Sequence, residues 1–172
     1  MEAEGALRAS SEEMHDLYNN SKVTNDLLQL FPRKFSRKEY LDAAAVLIRD
    51  RSGCRHVGMR IADDDGKIPY ESCAGYNPQF LASEGNLSLK HDCCVCTRVI
   101  TGMPEPHELG AMTPNGSFYC NDTSKFVEGL TEVQRTRYRG VCMKHGFLSL
   151  AVVPIRYRGD RVIGAVQLAD ER

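Results

Sequence analysis

An α+β fold is predicted for this 172-residue chain by three features of its sequence. Ser36–Arg37–Lys38–Glu39 has the form of a capping box, and Tyr40, Ala44, Leu47 and Ile48 follow it as a one-face apolar stripe. Val57, Met59 and Ile61 alternate with smaller or polar residues before the turn sequence Asp63–Asp64–Asp65–Gly66. The third feature is a pair of β-rich segments, Leu148 to Arg158 and Arg161 to Asp170, around Gly159–Asp160. Helical and two-residue periodicities thus occupy separate segments, and the strands come in hairpins.

In chain order, Ser10–Ser11–Glu12–Glu13 is a capping-box signature ahead of Met14, Leu17 and Tyr18. Asn19–Asn20–Ser21 weakens that helix and Phe31–Pro32 ends it. The second helix runs to Ser52–Gly53. Ile68, Tyr70 and Ser72 form the return strand of the first hairpin, whose acidic turn lacks the distal glutamate of a calcium loop. Residues 77–89 hold a short helix and a loop, and another short helix leads to Gly102. A Pro-, Gly- and Thr-rich loop then reaches Gly116, and Phe118–Tyr119–Cys120 is a short strand. Thr131–Glu132–Val133–Gln134 opens a helix expected to continue to His145–Gly146, and Pro154 is expected at a bulge or facing outward.

Composition narrows the function. Basic and acidic residues number 22 and 23, so the cationic field that nucleic acid or an anionic membrane attracts is missing. No apolar run approaches the roughly 20 residues of a membrane span, and Met1–Glu2–Ala3–Glu4–Gly5 lacks a signal-peptide layout. A cytoplasmic location is therefore expected, where clustered thiols bind metal or do redox chemistry more often than they form structural disulfides.

The terminal segments Ser149–Leu150–Ala151–Val152–Val153–Pro154–Ile155 and Val162–Ile163–Gly164–Ala165–Val166–Gln167–Leu168–Ala169–Asp170, with the order of elements before them, resemble a GAF domain. The resemblance implies a PAS-related antiparallel sheet flanked by helices, with a ligand pocket closed by the variable middle. Residues 1–35 then form a helical extension and 36–172 the sensor domain. A narrower resemblance, to GAF-type sensors of histidine kinases in anaerobic bacteria and methanogenic archaea, rests on four blocks. These are Ile68–Pro69–Tyr70, Cys94–Val95–Cys96–Thr97–Arg98–Val99, Gly116–Ser117–Phe118–Tyr119–Cys120–Asn121–Asp122, and Arg139–Gly140–Val141–Cys142 with Gly146–Phe147. The last two blocks also resemble the PocR-type sensory domain. Together they imply a regulatory module rather than an enzyme, acting on a histidine kinase or another output module and open to a small-molecule ligand. The cyclic-nucleotide motif of phosphodiesterase GAF domains is not evident. No output domain follows Arg172, so the module is expected to be excised or to act through a separate partner, and the N-terminal helix makes a homodimer an option.

Among seven cysteines, Cys93, Cys94 and Cys96 fall within four residues. Cys94 and Cys96 point the same way only in extended chain, which places them at or before a helix start, where the dipole favours thiolates. Twenty-three residues separate Cys96 from Cys120 and twenty-one separate Cys120 from Cys142, so only tertiary structure can gather them. Cys94, Cys96, Cys120 and Cys142 form a four-sulfur set of the kind that holds zinc or an iron–sulfur cluster. Cys93 or His145 is an alternative ligand, and the choice of Cys94 over Cys93 follows from the resemblance. Haem ranks behind the cluster because thiols are in surplus. A purely structural zinc beside a separate organic ligand is one alternative, and a thiol–disulfide switch is another. Cys54 and Cys73 read as small apolar side chains, and Tyr70, Tyr76, Arg98 and Asn121 as residues available to a pocket. His91 and His107 flank the thiol stretch and read as loop histidines.

Overall fold

Alternation along the strands decides which residues meet on each side of a five-stranded antiparallel sheet of order β2–β1–β5–β4–β3. The computed structural model describes residues 2–33 and 36–172. Its strands are β1 (His56–Ile61), β2 (Tyr70–Ala74), β3 (Phe118–Cys120), β4 (Ser149–Tyr157) and β5 (Arg161–Asp170). Val57 and Met59 of β1 and Val166 and Leu168 of β5 share one core with Ala44 and Ala45 of α2 (Arg37–Ser52). Ala165 and Val152 belong to a second core on the opposite face, with Val95 and Val99 of α4 (Val95–Thr101). The expected α+β layout, a sheet flanked by helices, is observed.

The helical face has a well-defined start and stop. Ser36 caps α2 through the Glu39 amide, the Glu39 carboxylate accepts from the Ser36 N–H, and Gly53 ends the helix at φ 69°. Helix α1 (Glu2–Leu30) is a single 29-residue helix, longer than expected and continuous through Asn19–Ser21. Its last turns are held by packing, since Leu27 and Leu30 join the core under α2; propensity is the weaker influence. Met14, Leu17 and Tyr18, by contrast, are exposed. The expected division after residue 35 falls at residues 34–35, outside those described.

On the opposite face lie α3 (Pro78–Glu84), α4, α5 (Thr123–Glu128), α6 (Glu132–Arg135) and α7 (Val141–Lys144). The long helix expected from Thr131 to Gly146 is two short ones. Gly140, at φ 69°, interrupts it and redirects the chain into α7. The 103–116 loop contains a 3-10 helix at Pro106–Ala111. Its Glu108 is buried and accepts two hydrogen bonds from the Arg98 guanidinium, at 2.8 and 2.6 Å, and one from the Tyr138 hydroxyl at 2.8 Å. Burial alone would raise the Glu108 pKa, but Arg98, the Glu105 backbone N–H and the Tyr138 hydroxyl together outweigh it and hold the carboxyl below the usual range. Arg98 is therefore a staple between α4 and this loop rather than a free pocket cation.

The terminal hairpin forms as expected, with a longer turn. Arg158–Asp160 separate the paired residues Tyr157 and Arg161, and Arg158 and Gly159 both have positive φ. Pro154 lies beside the irregularity at Ile155/Arg156 and beyond the part of β4 that β3 pairs.

An aromatic cluster closes the sheet at the β1–β2 side. Phe80 is fully buried among Tyr76, Phe147 and Tyr70, with ring centroids 4.6, 5.1 and 6.3 Å away. Phe80→Ala is expected to cost about 3–5 kcal/mol in urea unfolding, because the surrounding rings cannot collapse into the space. A loss under about 1 kcal/mol would show that the cluster is not rigid packing.

Candidate functional site

The inward face of the sheet carries a cation with no water contact. Arg60 is fully buried on β1, opposite in direction to Val57 and Met59. Its guanidinium lies 3.6 Å over the Tyr70 ring and donates to the Ile68 carbonyl at 2.8 Å and the Glu84 carbonyl at 2.9 Å. The Glu84 carboxylate lies 3.3 Å away. Arg139 approaches the same carboxylate at 3.4 Å and reaches Asp92 at 3.2 Å, joining α3, the cysteine stretch and the segment before α7. Burial pushes the Glu84 carboxyl up, and the two guanidinium groups offset part of that rise. A lone carboxylate there would be strongly destabilising.

The thiols lie beside this network. Cys94 is the extended N-cap residue of α4; its N–H donates to Thr97 Oγ1 at 3.2 Å, and Thr97 Oγ1 donates back to the Cys94 carbonyl at 2.8 Å. Interaction with the Cys96 thiol, more than with the backbone N–H groups of Arg139 and Cys96, favours the Cys94 thiolate and brings the Cys94 pKa down to about 7. Cys96 is buried in the first turn of α4, and its interaction with Cys94, then burial, pushes its thiol well above the ordinary value. Burial raises Cys142, on α7, to about 12. Gln167 of β5 lies between these two sulfurs: its Nε2 donates to Cys142 at 3.4 Å, and its Oε1 accepts from the Tyr70 hydroxyl at 2.6 Å and from Cys96 at 3.8 Å. Cys120, half-buried on β3, also has a raised pKa through burial.

Cys94, Cys96, Cys120 and Cys142 line one cavity of about 60 Å³, together with Phe118 and Phe126. That volume is several times the roughly 10–15 Å³ one water requires, so a small molecule fits. Cys54, beyond the end of α2, and Cys73, at the edge of the aromatic cluster, do not line it. Cys93 is exposed. His145, the alternative ligand, rests edge-on against Phe80 at 5.2 Å, and His107 bonds Tyr138 at 2.6 Å. Asn121 is exposed, and Tyr70 and Tyr76 belong to the aromatic cluster.

A zinc or iron–sulfur centre requires deprotonated sulfurs gathered at about 2.3 Å from metal. Here the Cys96 thiol donates to Gln167 Oε1, Cys142 accepts from Gln167 Nε2, and both thiols have raised pKa values, Cys96 through Cys94 and then burial, Cys142 through burial. Among the described residues, no group of three or more His, Cys, Asp or Glu side chains is placed to hold a metal ion. The four sulfurs line one cavity but are not gathered as a ligand set.

Sequence reasoning missed Arg60, Glu84, Gln167 and Glu108. Two of them carried a readable signal: Arg60 interrupts the inward alternation of β1, and Gln167 is the polar residue in the apolar run Gly164–Ala169.

The fold is that of GAF domains. The structure matches the GAF domain of an Acinetobacter phosphoenolpyruvate-protein phosphotransferase at TM-score 0.59 and 16% identity, covering 88% of this chain and 76% of that one. It matches the GAF domain of A. aeolicus nlh2 in an inactive state at TM-score 0.59 and 13% identity, covering 90% and 81%. Free methionine-R-sulfoxide reductase from Neisseria meningitidis, in complex with its substrate, matches at TM-score 0.58 and 14% identity, covering 87% and 72%. No protein-family model and no curated protein matches the sequence. The reductases, which include those of Thermoplasma acidophilum and Staphylococcus aureus, correct the expectation that this chain is not an enzyme. The same fold carries catalysis there, so the architecture does not exclude it here. Among the described residues, no helix is long and apolar enough to cross a membrane.

The depressed pKa sets a pH signature. Cys94 is a thiolate above pH about 7 and loses that form as pH falls through this value. Iodoacetamide labelling of Cys94, followed by peptide mass spectrometry in a Cys93→Ser background, is expected to be half-maximal near pH 7. Cys142 should stay unlabelled to far higher pH, consistent with its pKa of about 12. A Cys94 midpoint above about 8.5, the value of a free thiol, would remove the interaction with Cys96 as its cause.

Proposed function

We propose that this chain is a regulatory sensor module that receives its signal in the cysteine-lined cavity and passes it to an output module such as a histidine kinase. The observation that carries this reading is the convergence of Cys94, Cys96, Cys120 and Cys142, from three separate segments, on one cavity that Cys54 and Cys73 do not line. The regulatory half is supported by the GAF domains among the matched structures, one of them from a phosphotransferase. The receiving groups in this reading are the free thiols, with a small ligand or a redox change as the signal.

The walls of the cavity explain how the signal leaves it. They come from α4, β3, α5, α7 and the loop holding Tyr138, while Glu84 ties them to β1 through Arg60. A change in volume or charge at the sulfurs shifts the population of arrangements open to these short helices. The sheet and α2 then transmit the bias to α1, whose Met14, Leu17 and Tyr18 are exposed for an output module or a second copy of the chain.

Anaerobic purification with metal and acid-labile sulfide analysis, an absorption spectrum and a thiol count tests the reading. The expected result is folded, colourless, metal-free protein with all seven thiols reduced. Iron with sulfide, or one bound zinc that Cys120→Ser abolishes, would overturn it in favour of a four-cysteine centre at Cys94, Cys96, Cys120 and Cys142.

A further inference from the structure

The cavity of about 60 Å³ is walled by side chains whose polar atoms are engaged with neighbours outside it. The Thr123 hydroxyl donates to the Phe147 carbonyl at 2.7 Å. The Tyr138 hydroxyl donates to Glu108 at 2.8 Å and meets His107 Nε2 at 2.6 Å. Gln167 takes up two of the sulfurs, accepting from Cys96 at 3.8 Å and donating to Cys142 at 3.4 Å. Glu84 is fully buried, with Arg60 3.3 Å from one carboxylate oxygen and Arg139 3.4 Å from the other. That second oxygen, Oε1, has no hydrogen-bond partner, yet under 1 Å² of it is accessible, so it offers a ligand no acceptor.

What faces the space is hydrocarbon, aromatic ring and sulfur. Phe118, Phe126, Val127, Val141 and Leu150 supply the first two, and Met143 adds a thioether to the four cysteines. Such walls attract a ligand through dispersion and the burial of its apolar surface. Among the described lining residues, Glu84 is the only one with a charged side chain apart from the thiols, and Arg60 and Arg139 already hold it. An ion would give up its hydration here with no counter-charge in return. Size sets the other limit. Benzene occupies a cavity of roughly 150 Å³, so less than half that volume admits about two to four non-hydrogen atoms. An amino-acid sulfoxide, the compound in the names of the matched reductases, carries two charges and outsizes the space.

We propose that the cavity receives an uncharged apolar molecule of about two to four non-hydrogen atoms, held by packing alone. The proposal rests on the reading of the cavity as the receiving site of a metal-free sensor, and it gives the ligand a chemical class. Occupancy by such a molecule presses on rings that are already in contact. Phe126 packs edge-on against Phe118 at 5.6 Å and against Tyr138 at 5.9 Å. Tyr138 is in turn bonded to Glu108, which Arg98 ties to α4, so a displaced ring moves the 103–116 loop as well. A ligand this small reaches about millimolar affinity at best, which makes the site a detector of abundant rather than trace compounds.

The test uses the full chain, reduced and confirmed metal-free, at about pH 6, below the Cys94 pKa of about 7. Xenon and propane serve as uncharged ligands, and acetate and ethylammonium as ions of similar size. The methyl resonances of Val127, Val141, Met143 and Leu150 are followed by NMR through each titration. Saturable shifts with xenon and propane are expected, with dissociation constants of about millimolar order and at least about ten-fold weaker binding of both ions. Val127→Phe, which fills the space, should weaken both neutral ligands at least about ten-fold, and Phe126→Ala, which enlarges it, should admit benzene. Circular dichroism checks that each variant is folded, and the comparison of neutral with charged ligands in the unaltered chain stands without them. No saturable shift with either neutral ligand, an ion bound as tightly as propane, or undiminished binding in folded Val127→Phe protein would overturn the assignment. Bound iron or zinc in the starting protein would instead remove the metal-free reading beneath it, which is a separate failure.

Discussion

The inward half of this molecule depends on a guanidinium sealed away from water. Arg60 has no exposed surface, and the Tyr70 ring, two backbone carbonyls and the Glu84 carboxylate compensate its charge. Burying one member of such a group without the others costs several kcal/mol, so the pieces are mutually required. Glu84 ends α3, Tyr70 begins β2, and Arg139 precedes α7; one charge network therefore sets the positions of three elements that surround the thiols. The unpartnered Arg60 Nε is the residual cost of placing a five-donor side chain where four contacts are available.

That network also shapes thiol chemistry. The interaction between Cys94 and Cys96 acts in opposite directions on the two thiols, lowering the pKa of Cys94 and raising that of Cys96. The result is an asymmetric pair in a wall whose other charged side chain, among the described residues, is Glu84. Gln167 extends the asymmetry to Cys142, because an amide offers a donor to one sulfur and an acceptor to the other.

The regular elements were legible where local physics is strong. The capping box at Ser36–Glu39, the αL glycines at Gly53 and Gly102, and the alternation in β1 and β5 each correspond to an observed boundary or face. Reading failed where a local signal competed with tertiary contacts. Asn19–Ser21 weakens a helix that packing of Leu27 and Leu30 sustains, and Gly140 breaks a helix that Thr131–Gln134 starts well. The Pro106–Ala111 turn read as loop because its anchor, Glu108, is held by residues ten and thirty positions away.

For the site, the chain alone determined which cysteines were candidates: spacing, compartment chemistry and resemblance separated Cys94, Cys96, Cys120 and Cys142 from Cys54 and Cys73. Whether those four surround one cavity, and in what protonation state, was decided by the tertiary structure. Thiol acidity depends on the direction of a few hydrogen bonds and on the depth of burial, and both are properties of distant segments brought together. A sequence displays residue types along a line; it does not display that Gln167 stands between Cys96 and Cys142.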